Sequence, residues 1–143
     1  MTDNVEGTIK GTITHATTGA VREFNSVEVG RSALGGDLNA WGYSSTPNEA
    51  ISFSLFGSDP NSGTYYLGRL PEMRSATFHP DFALAHKGII GTLFFNNDKD
   101  ATRIHGSLHF ETHADEAGNR YKIDVDFDIT GISTAADSSP LAK

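Results

Sequence analysis

The sequence predicts an all-β fold, either a single-domain antiparallel β-barrel or a β-sandwich of roughly eight to nine strands. Three observations predict it. Apolar and polar residues alternate with a period of two in several segments. The extended runs are short and are separated by turn sequences such as GSDPNSG, NNDKD and DEAGN. The chain contains 15 glycines, and no window of about a dozen residues carries the apolar stripe of a helix.

The first strand is predicted from residue 5 onward, because Ile9 and Ile13 lie on one face and polar residues lie on the other. Gly7, Gly11 and Gly106 occupy apolar faces, which indicates that bulky neighbours such as phenylalanines fill the space beside them. A turn at ATTGA leads into extended chain over VREFNSVEVG. The later strands are predicted at about 37–43, 50–56, 64–70, 75–79, 87–95, 102–112 and 120–132.

The last two runs predict a C-terminal hairpin at about 102–113/120–132. Each run is amphipathic, so the hairpin must bury both apolar sets, and it must also avoid placing like charges opposite one another. These conditions place HGSLHFETH on a solvated face whose histidines meet aspartates. The predicted register pairs Glu111 with Lys122, His109 with Asp124, Ser107 with Asp126, Gly106 with Phe127, and His105 with Asp128.

Composition predicts one domain over residues 1–134, followed by a flexible C-terminal tail at 135–143. The net charge of −7 and the scattered basic residues argue against a nucleic-acid partner. The sequence has no apolar run long enough to span a bilayer and no visible secretory signal, so a cytoplasmic location is expected. A homo-oligomer is compatible with these features.

No metal site, cofactor or catalytic constellation is predicted. In a strand, His105 and His109 lie about 13 Å apart, so one zinc ion cannot bind both at about 2.0–2.1 Å. The chain has no cysteine and no G-x-S-x-G motif, so it offers no recognisable nucleophile. The alternating Asn96, Asp98 and Asp100 lack the glycine and glutamate of a calcium-binding loop.

Aromatic residues supply the candidate binding site. Trp41 and Tyr43 share one predicted strand face with Asn39 and Asp37, so two flat rings lie beside amide and carboxylate groups. Such a set suits a sugar, whose C–H face stacks on rings while its hydroxyls form hydrogen bonds. Tyr65 is the further candidate on a separate run, and the competing interpretation is that Trp41 and Tyr43 belong to the core.

The sequence therefore favours a non-enzymatic β-domain that binds a small ligand, with carbohydrate as a candidate class. The first alternative is a protein-interaction or assembly module that uses an exposed edge strand or an apolar face. The second alternative is an enzyme that works in a barrel lumen with a desolvated carboxylate.

Overall fold

The computed structural model describes residues 5–45, 48–80 and 85–133, and all regular structure there is β-strand except one short 3-10 turn at Leu34–Gly36. The prediction of an all-β, antiparallel fold is confirmed. The strands are β1 Glu6–His15, β2 Val21–Asn25, β3 Glu28–Ser32, β4 Leu38–Ser45, β5 Asn48–Leu55, β6 Gly63–Tyr66, β7 Met73–Pro80, β8 His86–Asp98, β9 Arg103–Thr112 and β10 Tyr121–Thr130.

The strands form one sheet in the order β2-β1-β10-β9-β8-β7-β5-β4-β3, curled into a half-barrel, with β6 pairing beside β8. The long strand β8 joins the part of the sheet formed by β7, β5, β4 and β3 to the part formed by β9, β10, β1 and β2. Its start pairs with β7, and its later residues pair with β6 and β9. The predicted tail at 135–143 lies outside the described residues, and the structure does not test the prediction of a single domain.

The segment predicted as one strand over 21–30 divides at Ser26. There the chain leaves β1 and joins β4, because Ser26 N–H donates to the Ile9 carbonyl at 2.9 Å while the next residue, Val27, donates to the Tyr43 carbonyl at 2.8 Å. The Ser26 hydroxyl also accepts from Ile9 N–H at 2.8 Å. This corner brings the two ends of the curled sheet together and produces one strand more than predicted.

The C-terminal hairpin has the predicted register. Strands β9 and β10 pair Glu111 with Lys122, His109 with Asp124, and Gly106 with Phe127. The apolar face of both strands is buried, and the histidines and aspartates project from the other face. Burial of both apolar sets and separation of like charges therefore determine the register, as the sequence predicts.

The glycines on the apolar faces permit close backbone approach in addition to packing beside aromatic rings. A Cβ at Gly106 would lie 1.8 Å from the Phe94 carbonyl oxygen and 3.3 Å from the Phe127 ring, and its φ is +152°. A Cβ at Gly11 would lie 2.0 Å from the Asp124 carbonyl oxygen. Only glycine fits at such contacts, and strands that approach this closely allow the sheet to coil.

The concave face of the half-barrel holds the core. Within it, the Phe127 ring packs against two other core rings, with centroids 4.9 Å from Phe53 and 6.5 Å from Phe95. The inward face also contains an ion pair between Arg22 on β2 and the buried Glu49 on β5, in which both guanidinium Nη atoms meet the carboxylate. No helix in the described part of the chain is long and apolar enough to cross a membrane.

Candidate functional site

The predicted set on β4 lies on the outer face of the sheet, and its polar members already form bonds within the protein. The Asp37 carboxylate accepts from Gly57 N–H at 2.9 Å and lies 3.3 Å from Arg74 Nε. The Asn39 amide donates to the Asp37 carbonyl at 3.2 Å. Much of the hydrogen-bonding capacity that was predicted to meet a ligand is used by neighbouring protein groups.

The two β4 rings are also partly covered. The Trp41 indole lies over Gly30 of β3, where a Cβ would meet the ring at 2.2 Å, and Trp41 is only 7% exposed. Tyr43 is half-buried and its hydroxyl donates to the Glu28 carboxylate. Trp41 belongs to the convex side of the sheet, outside the apolar core cluster. Ligand binding by this set stays a prediction.

Tyr65 is not brought to the β4 set, because its strand β6 pairs with β8 and the sheet order places β7 and β5 between β8 and β4. The Tyr65 ring packs edge-on against Phe95 with centroids 6.0 Å apart, and its hydroxyl donates to the Asn61 carbonyl at 2.6 Å. Partial burial raises the pKa of Tyr65. Tyr65 therefore packs against the edge of the hydrophobic core.

On the solvated face of the C-terminal hairpin, His105 and His109 of β9 lie opposite Asp128 and Asp124 of β10, and the His109–Asp124 pair forms a hydrogen bond. His109 Nδ1 lies 2.8 Å from Asp124 Oδ1. His105 lies opposite Asp128, but the Asp128 carboxylate accepts two hydrogen bonds from Arg103 at 2.9 and 2.7 Å. These bonds hold the pKa of Asp128 below its usual range. The sequence prediction considered only directly opposite residues, and this diagonal partner was missed.

A second group of aromatic and polar residues lies on the outer face of β6, β8, β9 and β10. Strand pairing places Tyr66 beside Thr92, Thr92 beside His109, and His109 beside Asp124, so that these four residues form one row. Two further β8 residues flank the row on the same face. The outer-face site is defined here as Tyr66, Ile90, Thr92, Phe94, His109 and Asp124.

The outer-face site exposes large apolar groups that are uncommon on a strand face open to solvent. Phe94 is 47% exposed and contacts the His109 ring edge-on, with centroids 6.0 Å apart. A β-bulge between Gly88 and Ile90 leaves Ile89 and Ile90 about equally exposed, at 59% and 60%. Burying such rings and branched side chains is favourable, so their exposure together marks a contact surface.

The site is concave and contains oriented polar groups. A pocket of about 210 Å³ is lined by Ile90, Thr92, His109 and Asp124, among others. The His109 Nδ1–H donates to Asp124, which fixes the imidazole plane and leaves Nε2 as an acceptor in the neutral ring. At the other end of the row, Arg69 lies 3.9 Å above the Tyr66 ring. Ring faces and hydrogen-bonding groups therefore lie within one surface.

Sequence reasoning missed this site although one signal was present. The run KGIIGTLFF places Phe94 and Ile90 on the face opposite Leu93 and Phe95, and strict alternation would put polar residues there. The prediction gave this run as a strand at about 87–95 and assigned no function to either of its faces. An apolar run on both faces, next to the strand that carries the histidines, indicates either double burial or an exposed contact surface.

No family model, no curated protein and no solved structure matches this chain. Within residues 5–45, 48–80 and 85–133, no group of three or more histidine, aspartate or glutamate side chains is arranged to hold a metal ion.

Proposed function

We propose that this protein is a non-enzymatic β-domain that binds a small neutral carbohydrate at the outer-face site. The observation that carries the proposal is the exposed Phe94 ring, which contacts a His109 imidazole held by Asp124. His109 and Asp124 in turn line a pocket of about 210 Å³. The proposal keeps the ligand class predicted from sequence and changes its location from β4 to β8 and β9.

The chemistry of a pyranose fits these groups. Its C–H face is apolar and packs on an exposed ring such as Phe94, while its hydroxyls both donate and accept. The Asp124 carboxylate accepts a charge-assisted hydrogen bond, the Thr92 hydroxyl can donate or accept, and the second ring nitrogen of His109, Nε2, is a further hydrogen-bonding group. The outer-face site therefore contains both an apolar ring for the C–H face of a sugar and hydrogen-bonding groups for its hydroxyls.

The charge of the surface favours a neutral ligand. The outward positions of β10 include three aspartates in alternation, Asp124, Asp126 and Asp128, and the whole chain carries a net charge of −7. Arg103 neutralises Asp128 through its two hydrogen bonds. The pocket itself is lined by the carboxylates of Asp124 and Glu111 and by one cation, Lys122, so acidic groups outnumber basic ones there. An anionic sugar would be repelled there.

The expected affinity is modest because the pocket is shallow. One ring stacking contact and three or four hydrogen bonds of about 1 kcal/mol each give about 4–6 kcal/mol in total. This range corresponds to a dissociation constant of about 0.05–1 mM. Longer oligosaccharides are expected to bind more tightly if they also reach Tyr66.

The test is calorimetric titration with neutral gluco-, manno- and xylo-oligosaccharides. Phe94→Ala is expected to weaken binding by about tenfold, because it removes the stacking ring. The matched control is Leu70→Ala, which truncates an apolar side chain that is 86% exposed and lies outside the outer-face site. Failure of every oligosaccharide to bind at about ten times the expected dissociation constant would refute the proposal.

Trp41 distinguishes the two locations, since it is the single tryptophan of the chain. Binding on β4 would change the tryptophan emission, whereas binding at the outer-face site is expected to leave it unchanged because β7 and β5 lie between. A saturable emission change that survives Phe94→Ala would return the site to β4.

Ile89, Ile90 and Phe94 also favour one alternative, a protein-interaction module. In that case the apolar side chains would dock a protein surface. Light scattering over a range of protein concentrations, with Ile90→Ser as the variant, tests for self-association, and a pull-down with added oligosaccharide as competitor tests for other partners. The alternative would be supported if the molecular mass from light scattering rose with protein concentration, if Ile90→Ser abolished that rise, and if no glycan bound.

A further inference from the structure

A second pocket lies at one end of the half-barrel, away from the outer-face site. It has a volume of about 280 Å³ and lies between the end of β3, the chain after β5 and the β8–β9 turn. Its lining includes Arg31, Ser58, Asp59, Lys99, Thr102 and Ile132. Nothing in the proposed carbohydrate function uses these residues.

Arg31 is the unusual member of this pocket. It lies opposite Ala40 on the inward face of β3 and is only 3% exposed. Its Nε and Nη1 atoms have no hydrogen-bond acceptor among the described residues. Buried guanidinium groups are normally paired, because leaving a charged donor without an acceptor is costly.

Asp59 is an incomplete partner for Arg31. Its Oδ1 lies 3.6 Å from Arg31 Nη2, which is beyond hydrogen-bonding distance. The same carboxylate accepts from the Asn97 amide at 2.7 Å and lies 3.7 Å from Lys99 Nζ. The bond from Asn97 is the main reason that the pKa of Asp59 is below its usual range. Asn97 and Lys99 thus hold the Asp59 carboxylate, and the Arg31 guanidinium is left with two donors that have no acceptor among the described residues.

We propose that this pocket binds the carboxylate group of a small organic acid, with Arg31 as its principal partner. A carboxylate presents two acceptors that match the planar guanidinium fork. Lys99 adds a second positive charge at the rim, so Arg31 and Lys99 outweigh the one negative charge of Asp59. The hydroxyls of Ser58 and Thr102 are further donors, and Ile132 supplies an apolar wall for the body of the acid.

The proposal is tested with sodium acetate and sodium succinate as probes, and with sodium phosphate and sodium chloride at matched ionic strength. Binding is followed by the NMR signal of the Arg31 Nε–H and by thermal unfolding. Both carboxylates are expected to shift the Nε–H signal saturably, and Arg31→Met is expected to abolish the accompanying rise in unfolding temperature. An equal shift by phosphate would make the site a general anion site and would overturn the carboxylate assignment.

Two rim variants keep the test independent of the buried arginine. Lys99→Ala is expected to weaken acetate binding by about two- to fivefold, as expected for one half-exposed charge. Asp59→Asn removes the competing carboxylate and is expected to strengthen binding by a similar factor. Arg103→Met removes a cation from the Asp128 pair and should leave acetate binding unchanged. An unshifted Arg31 signal, or equal effects of chloride and acetate, would refute the site.

Discussion

Replacement of Arg31 with methionine is expected to stabilise the protein. Arg31 is only 3% exposed, and two of its guanidinium nitrogens have no acceptor among the described residues. An unsatisfied buried donor costs at least about 1 kcal/mol, and we take about 2–4 kcal/mol for the two together. Methionine has a similar length and no polar hydrogen, so it fills the same space without that penalty.

The substitution also removes the ion pair between Arg31 and Asp59, but this loss of stability is small. Asp59 lies 3.6 Å from Arg31 and its side chain is 51% exposed, so the pair contributes at most about 1 kcal/mol. Removing Arg31 leaves Asp59 in solvent with Asn97 and Lys99 as partners, so no buried charge is stranded. The expected net gain is about 1–3 kcal/mol, within the range known for apolar replacement of buried charges.

Equilibrium unfolding in urea and calorimetry measure this gain. For a chain of 143 residues, about 1 kcal/mol corresponds to about 3 °C in the unfolding midpoint, so an increase of about 3–9 °C is expected. The control is Arg74→Met, because Arg74 is 52% exposed and its loss should change stability by less than about 0.5 kcal/mol. A loss of more than about 1 kcal/mol in Arg31→Met would show that the arginine is a structural partner.

Three further outcomes follow from the packing. Arg22→Met should cost about 3–5 kcal/mol in urea unfolding because it strands the buried Glu49 carboxylate, whereas Glu49→Leu should cost less because Arg22 is 43% exposed. Gly106→Ala should lower stability by more than about 2 kcal/mol, since its Cβ would lie 1.8 Å from a carbonyl oxygen; an unchanged midpoint would contradict this. Burial, and then the charge of His86, lower the pKa of His79. Protonation of His79 therefore costs more in the folded protein than in the unfolded chain, so the free energy of unfolding is highest above about pH 6.5 and falls as the pH drops toward the lowered pKa. In thermal scans, the His79→Gln variant should lose less stability over that pH range than the unmodified protein.

The sequence contains enough information for the strands and the hairpin register. Alternation predicts β1, and the apolar faces and charges of β9 and β10 select one pairing, because a shift by a single residue would bury the aspartates. The corner at Ser26 was missed since no glycine or proline marks it. It depends on hydrogen bonds to Ile9 and Tyr43, which are distant along the chain.

The candidate sites were less predictable, for two physical reasons. Trp41 shares a face with polar residues, but alternation does not reveal that Gly30 on the next strand leaves room for the indole to lie flat on the sheet. Arg31 appears in the sequence as an ordinary charged residue near a strand end. Its burial arises because the β3 register turns it inward, opposite Ala40.

The measurement that tests the proposed function most directly is a titration of the isotopically labelled protein with the tightest-binding neutral oligosaccharide, followed by amide chemical shifts. Saturable shifts are expected for Tyr66, Thr92, Phe94 and His109, with none along β4. The Phe94→Ala variant should reach the same shifts only at about tenfold higher oligosaccharide concentration. Shifts confined to β4 around Trp41, or no saturable shift anywhere, would contradict carbohydrate binding at the outer-face site.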